Sequence, residues 1–141
     1  MAYKTLLLLF ALLAGCVQSP PAPLAADLAR IALDSGPRAD MRAYRVDGEL
    51  VRQLRFPDLE PGLRQLQVRY RFDIPGGMGG LGQESEPRRR SCILGVEWDL
   101  AGGQQYRFTA YRLGWQPVGW LETAAGERLV RAQVIRCGPG V

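Results

Sequence analysis

Leu66, Val68, Tyr70 and Phe72 alternate with Gln65, Gln67, Arg69 and Arg71, and this two-residue period belongs to an extended strand with one dry face and one wet face. A helix would scatter the same apolar residues around its axis. The alternation returns at Cys92, Leu94, Val96, Trp98 and Leu100, interrupted by Ile93, Gly95, Glu97 and Asp99. Two long amphipathic strands must bury their dry faces, and laying one sheet on another does so.

The remaining chain supplies shorter strands of the same kind. Residues 41–46 and 50–56 flank Asp47-Gly48, a dipeptide suited to the positive φ angles of a tight hairpin turn. Residues 105–111 place Tyr106, Phe108 and Ala110 on one face. After Pro117 comes a short apolar piece at 118–121, then a turn at Ala124-Ala125-Gly126-Glu127 and a last strand over 128–136. Residues 28–33 read as a first strand at a sheet edge, with a helical turn as the alternative because alanine favours helix. The expectation is all-β: a single antiparallel β-sandwich of seven or eight strands over residues 28–141, with a small closed barrel as the competing architecture. One long irregular stretch interrupts it. Residues 73–91, rich in glycine and ending in Arg88-Arg89-Arg90, read as a flexible loop, since ordering glycine is entropically costly.

The composition removes whole classes of chemistry. The chain contains no histidine, so the commonest general base, the commonest zinc ligand and every nucleophile–histidine pair are missing. No catalytic residue, cofactor or metal site is assigned, and a hydrolase is hard to build. The formal charge is +4, carried almost wholly by arginine with Lys4 as the single lysine. That mild excess suits anionic lipid, lipopolysaccharide or polymer phosphate, and nucleic acid is not an expected partner for an exported domain.

Export is read from the start of the chain. Lys4 supplies a positive n-region, and residues 6–14 form an apolar run too short to span a bilayer, which takes about 20 residues, but right for a signal-peptide core. Leu13-Ala14-Gly15-Cys16 resembles the lipobox of bacterial lipoproteins. The resemblance implies a signal helix over residues 1–15 removed by the lipoprotein signal peptidase, and a diacylglyceryl and palmitate-type lipid anchor on Cys16. Val17 follows the cysteine where many lipoproteins retained in the inner membrane have aspartate, which favours the outer membrane and the periplasm. Residues 16–27 hold Pro20, Pro21 and Pro23 and read as a lipidated tether whose last ten residues or so reach roughly 30 Å when extended.

With Cys16 lipidated, Cys92 and Cys137 remain as an even pair in an oxidising compartment and are expected to form a disulfide, two buried free thiols being the alternative. Gly77-Met78-Gly79-Gly80-Leu81-Gly82 matches G-x-G-x-x-G, but no helix signal follows it, and the match is read as accidental. Glu97 and Asp99 project side by side as a glycosidase pair would, and a solvated face is the plainer reading. Arg88, Arg89 and Arg90 are candidates for clamping phosphate or carboxylate groups. Trp115 is the candidate for an exposed stacking aromatic, while Trp98 and Trp120 are assigned to the core.

Val46-Asp47-Gly48 and the later Pro61-Gly62-Leu63-Arg64-Gln65-Leu66-Gln67-Val68 resemble the PEGA-type modules of bacterial envelope proteins, small β-sandwiches with a "V-D-G" turn and a "P-G-x-x-x-L-x-V" strand. The stretches around Tyr106 and Trp120 look like those of small β-sandwich envelope lipoproteins. These resemblances imply fold and surface location and no catalytic residue. The resulting expectation is a membrane-anchored, non-enzymatic module that binds an envelope protein or a cell-wall polymer. An inhibitor of lysozyme or of a protease is the alternative.

Overall fold

The computed structural model describes residues 19–76, 87–139 and 141. The expected export segment, Cys16 and the G-x-G-x-x-G match lie outside the described residues. Nine strands follow in chain order: β1 (Arg30–Asp34), β2 (Ala39–Val46), β3 (Glu49–Leu50), β4 (Gly62–Ile74), β5 (Arg88–Leu100), β6 (Gln105–Leu113), β7 (Gln116–Thr123), β8 (Arg128–Arg131) and β9 (Gln133–Cys137). They form two sheets, β1-β6-β7-β8 and β3-β2-β4-β5-β9. Among the described residues there is no helix, and the fold is an all-β sandwich.

The two alternating stretches become the central pair. β4 and β5 run antiparallel in unbroken register from Gly62 opposite Leu100 to Ile74 opposite Arg88. Leu66, Val68, Tyr70 and Phe72 therefore share one face with Cys92, Leu94 and Val96, and all are buried. From the other sheet Ile31, Tyr106, Phe108, Ala110 and Leu121 meet them in a single core, and Tyr70 stacks on Phe72 with ring centroids 5.0 Å apart. Trp98 is partly buried against this core.

Several expectations need correction. One pairing is parallel: β1 lies beside β6 with Ile31 opposite Tyr106. A parallel neighbour needs a long crossover, and here the chain builds β2 to β5 in the opposite sheet before returning. The hairpin turn forms as expected, with Asp47 and Gly48 at φ 50° and 85°, but its second arm ends at Leu50. Beyond it Val51, Leu54 and Phe56 fall out of period two, and Leu54 is left 62% exposed. The last strand is two strands in different sheets. Ala132 is the crossing point, its N–H donating to the Gly119 carbonyl at 2.8 Å, and nothing local marks the break because the residues on both sides suit extended structure.

The loop is shorter than residues 73–91, for Asp73 and Ile74 end β4 and Arg88 to Ser91 begin β5. Ahead of β1 the Ala22 carbonyl accepts Arg30 Nη1 at 2.7 Å, and Arg30 also grips Asp58 through Nε and Nη2, both at 2.8 Å. Trp120 is not a core residue. It faces outward opposite Thr109, with Arg128 Cζ 4.8 Å and Arg131 Cζ 6.0 Å from its ring centroid.

Candidate functional site

At one end of the sandwich the β1–β2 turn, the ends of β4 and β5 and the β6–β7 turn converge around an open groove of about 490 Å³. Its floor is the buried side of Tyr70 and Phe72; Arg38, Arg112, Pro75 and Pro87 form its walls. Tyr111 and Arg112 on β6 line one side, and the β6–β7 turn follows them beside the groove. Leu113 and Trp115 are 62% and 66% exposed there, and Tyr111 38%. Large apolar side chains left in water together, beside cations, are the composition of a docking surface.

Strand alternation divides the arginine run. Arg89 stands opposite Asp73 on the outer face of the sheet, and its Nε donates to Asp73 Oδ1 at 3.3 Å. Arg88 and Arg90 stand opposite Ile74 and Phe72, on the inner face of the sheet and next to the groove, whose lining here is Phe72, Asp73, Pro75 and Pro87. Arg90 Nη1 donates to the Trp115 carbonyl at 3.3 Å, so the structure brings these two sequence candidates together across the two sheets. Arg112 Nη1 donates to the Gly114 carbonyl at 3.2 Å and stiffens the same turn. Among the described residues no carboxylate lies within salt-bridge distance of Arg38, Arg88, Arg90 or Arg112. Burial pushes the Tyr70 phenol above its ordinary value and the nearby Arg112 charge works against that rise. Burial of this kind favours the neutral, hydrogen-bonding form of a phenol.

Arg38 and Arg112 were not singled out from the sequence. Their only local signals are Gly36-Pro37 before Arg38 and the hairpin turn after Arg112, and neither says that the two turns meet. The other candidates lie elsewhere. Cys92 and Cys137 are direct partners on β5 and β9 and form a disulfide, which fastens the edge strand to the sheet. Glu97 and Asp99 are exposed near the far end of β5, opposite Gln65 and Leu63, with no cleft that encloses both. Among the described residues no three His, Cys, Asp or Glu side chains are grouped to hold a metal ion.

The Ala22–Arg30 contact and the groove lie at opposite ends of β1. The pinned Ala22 sits at Arg30, where the strand begins, and the groove begins at Ser35, just past its end. Five residues of strand rise about 17 Å. Comparison with protein-family models, with curated proteins and with solved structures finds no match to this chain.

Proposed function

We propose that this protein is a non-enzymatic binding module of the bacterial envelope, held by a lipid on Cys16, in the outer membrane by the residue at position 17, and engaging an envelope protein or a cell-wall polymer. The observation that carries the reading is the placement of the groove. It opens at the end of β1 away from the Ala22–Arg30 contact, so a domain anchored through the segment before Ala22 presents the groove with Arg38 and Arg112, and Trp115 and Leu113 beside it, outward. A buried aromatic anchor ringed by guanidinium groups is the usual energetic centre of a protein interface, and the same pair stacks and hydrogen-bonds sugars bearing carboxylates.

The test is a photo-crosslinking amino acid placed at position 115 of the full chain in intact cells, with position 127, in the turn before β8, as the comparison. A discrete adduct from 115 and none from 127 is the expected result. Absence of an adduct from 115, or the same adduct from both positions, removes the groove from the proposal.

A further inference from the structure

The outer face of the five-stranded sheet carries a second cluster, separate from the groove. β2 has a bulge at Tyr44: Ala43 stands opposite Val68 and Arg45 opposite Gln67, leaving Tyr44 as the extra residue. Arg45 therefore leaves on the same face as Gln67 and Arg69. Around the Tyr44 ring lie Arg45 Cζ at 5.2 Å and Arg69 Cζ at 5.1 Å from the centroid. Arg136, on β9 at the other edge of the sheet, brings Nη2 to 3.5 Å from the Tyr44 hydroxyl. Between them Ile93 points outward yet is 1% exposed, so the stems of Arg69 and Arg136, its partners on either side, roof it and lie along the sheet.

The charges in this cluster are not balanced. Asp40 takes Arg71 at 2.7 Å and Arg42 at 3.2 Å, but among the described residues Arg45, Arg69 and Arg136 have no carboxylate within salt-bridge distance. Arg42 and Arg69 are also direct cross-strand partners, an arrangement of like charges that opposes folding. The Nε atoms of Arg45, Arg69 and Arg71 are buried and have no hydrogen-bond partner. Burial would raise the Tyr44 phenol, but the Arg136 hydrogen bond and the Arg45 and Arg136 charges outweigh it and hold the group below its ordinary value. Guanidinium forks gathered without counter-charge, beside a hydroxyl that donates, are equipped for a tetrahedral oxyanion. A phosphate offers oxygens toward several donors at once, where a carboxylate has only two.

We infer that Tyr44, Arg45, Arg69 and Arg136 form a binding site for a phosphate group, borne either by a soluble phosphorylated ligand or by a phosphodiester lipid headgroup. The site stands independently of the groove and of what occupies it. The full chain in non-ionic detergent is titrated calorimetrically with tripolyphosphate and, separately, with glycerophosphoglycerol, the deacylated headgroup of phosphatidylglycerol. Saturable binding of one probe is expected. Tripolyphosphate alone assigns a soluble ligand, and the diester assigns a headgroup.

Replacing both Arg69→Gln and Arg136→Gln weakens binding at least tenfold, and the groove pair Arg88→Gln with Arg90→Gln leaves it unchanged. Arg136→Gln alone, at an exposed position on an edge strand, gives a several-fold loss and covers the case in which the double variant does not fold. Failure of both probes to bind, wild-type affinity in folded Arg69/Arg136 variants, or an equal loss in the groove pair overturns the inference, the last because it would reduce binding to net charge.

Discussion

Arg90 Nη1 and the Trp115 carbonyl oxygen, 25 residues apart in sequence, meet at 3.3 Å and join the five-stranded sheet to the hairpin of the four-stranded one. The bond leaves the indole itself free, 66% exposed on the β6–β7 turn beside the groove. Trp115→Ala therefore removes no core contact, and its unfolding free energy in urea should stay within about 0.5 kcal/mol of the parent. Retention of envelope partners by the immobilised full chain should fall about tenfold, the order expected when an interface loses an aromatic anchor. Undiminished retention would show that Trp115 takes no part in binding.

Reduction tests the one covalent cross-link. Cys92 and Cys137 close a loop with sequence separation 45, and the chain-entropy model values such a loop at roughly 4 kcal/mol. β9 is an edge strand whose paired positions end at Gly95 opposite Gln133, so it has little else to hold it. Unfolding midpoints with and without reductant should differ by an amount equivalent to about 2–4 kcal/mol. Amides of residues 133–137 should lose hydrogen-exchange protection first. Alkylation of both cysteines without reductant would contradict the pairing.

The central hairpin was legible because its signal is local: β4 and β5 announce themselves by period two over many residues. The parallel partner of β1 was not, because it depends on where the chain returns after four strands in the other sheet. The split at Ala132 is hidden for a related reason. Its residues favour extended structure throughout, and only the competition between the edges of β7 and β5 decides where the chain crosses. The candidate sites show the same division. Arg88, Arg90 and Trp115 could be named one by one, but alternation sends Arg89 to the opposite face and a tertiary contact brings Arg90 to Trp115. The Tyr44 cluster depends on a bulge in β2 and on a residue of β9, neither of which has a sequence signature of its own.

Two glycines separate rigid from yielding surroundings. A Cβ on Gly119 would meet the Ala132 Cβ at 3.0 Å, Leu94 Cδ1 at 3.1 Å and Phe108 Cε1 at 3.3 Å, at the centre of the core and on both sheets. The Ala132 Cβ is fixed to the backbone of the crossing point and cannot swing aside. Gly119→Ala should cost about 1–3 kcal/mol, the ordinary penalty of overpacking. On Gly95 a Cβ would meet Ile135 Cδ1 at 2.8 Å, but that is the far end of a side chain half exposed to solvent. A rotamer change relieves it, so Gly95→Ala should be nearly neutral. Denaturation of the two variants side by side checks the contrast, and equal losses would refute it.

Acid should loosen the Arg30–Asp58 contact at the start of β1 and the β2–β3 turn. Asp58 is held below the usual carboxylate range by its hydrogen bond from Arg30, and Asp47 by the Gln65 amide first and Arg64 second. A carboxyl whose folded pKa is depressed stabilises the fold fully above its unfolded value, about 3.9, and loses that contribution as pH falls through the folded value. Stability should therefore be flat near neutrality and decline below about pH 4. Asp58→Asn and Asp47→Asn should each be less stable than the parent at neutral pH and should shrink the acid-dependent loss. A parent whose stability does not change on acidification would show that these contacts contribute nothing to folding.

The anchor is tested at a single atom. If the Cys16 thiol carries the lipid, Cys16→Ser removes the acceptor for diacylglycerol and leaves the described domain untouched, because the domain's own disulfide uses Cys92 and Cys137. Two or more acyl chains hold a protein to a bilayer essentially permanently, at about 0.8 kcal/mol per buried methylene, so their loss is all-or-none in fractionation. The serine variant should lose palmitate labelling and either appear in the aqueous fraction or persist as an uncleaved precursor. The groove and the Tyr44 cluster should remain intact in it, with the wild-type response to tripolyphosphate. Continued labelling of the serine variant would place the lipid elsewhere. The outward orientation of Trp115 would then lose its membrane reference, while the phosphate inference, built on the sheet alone, would stand.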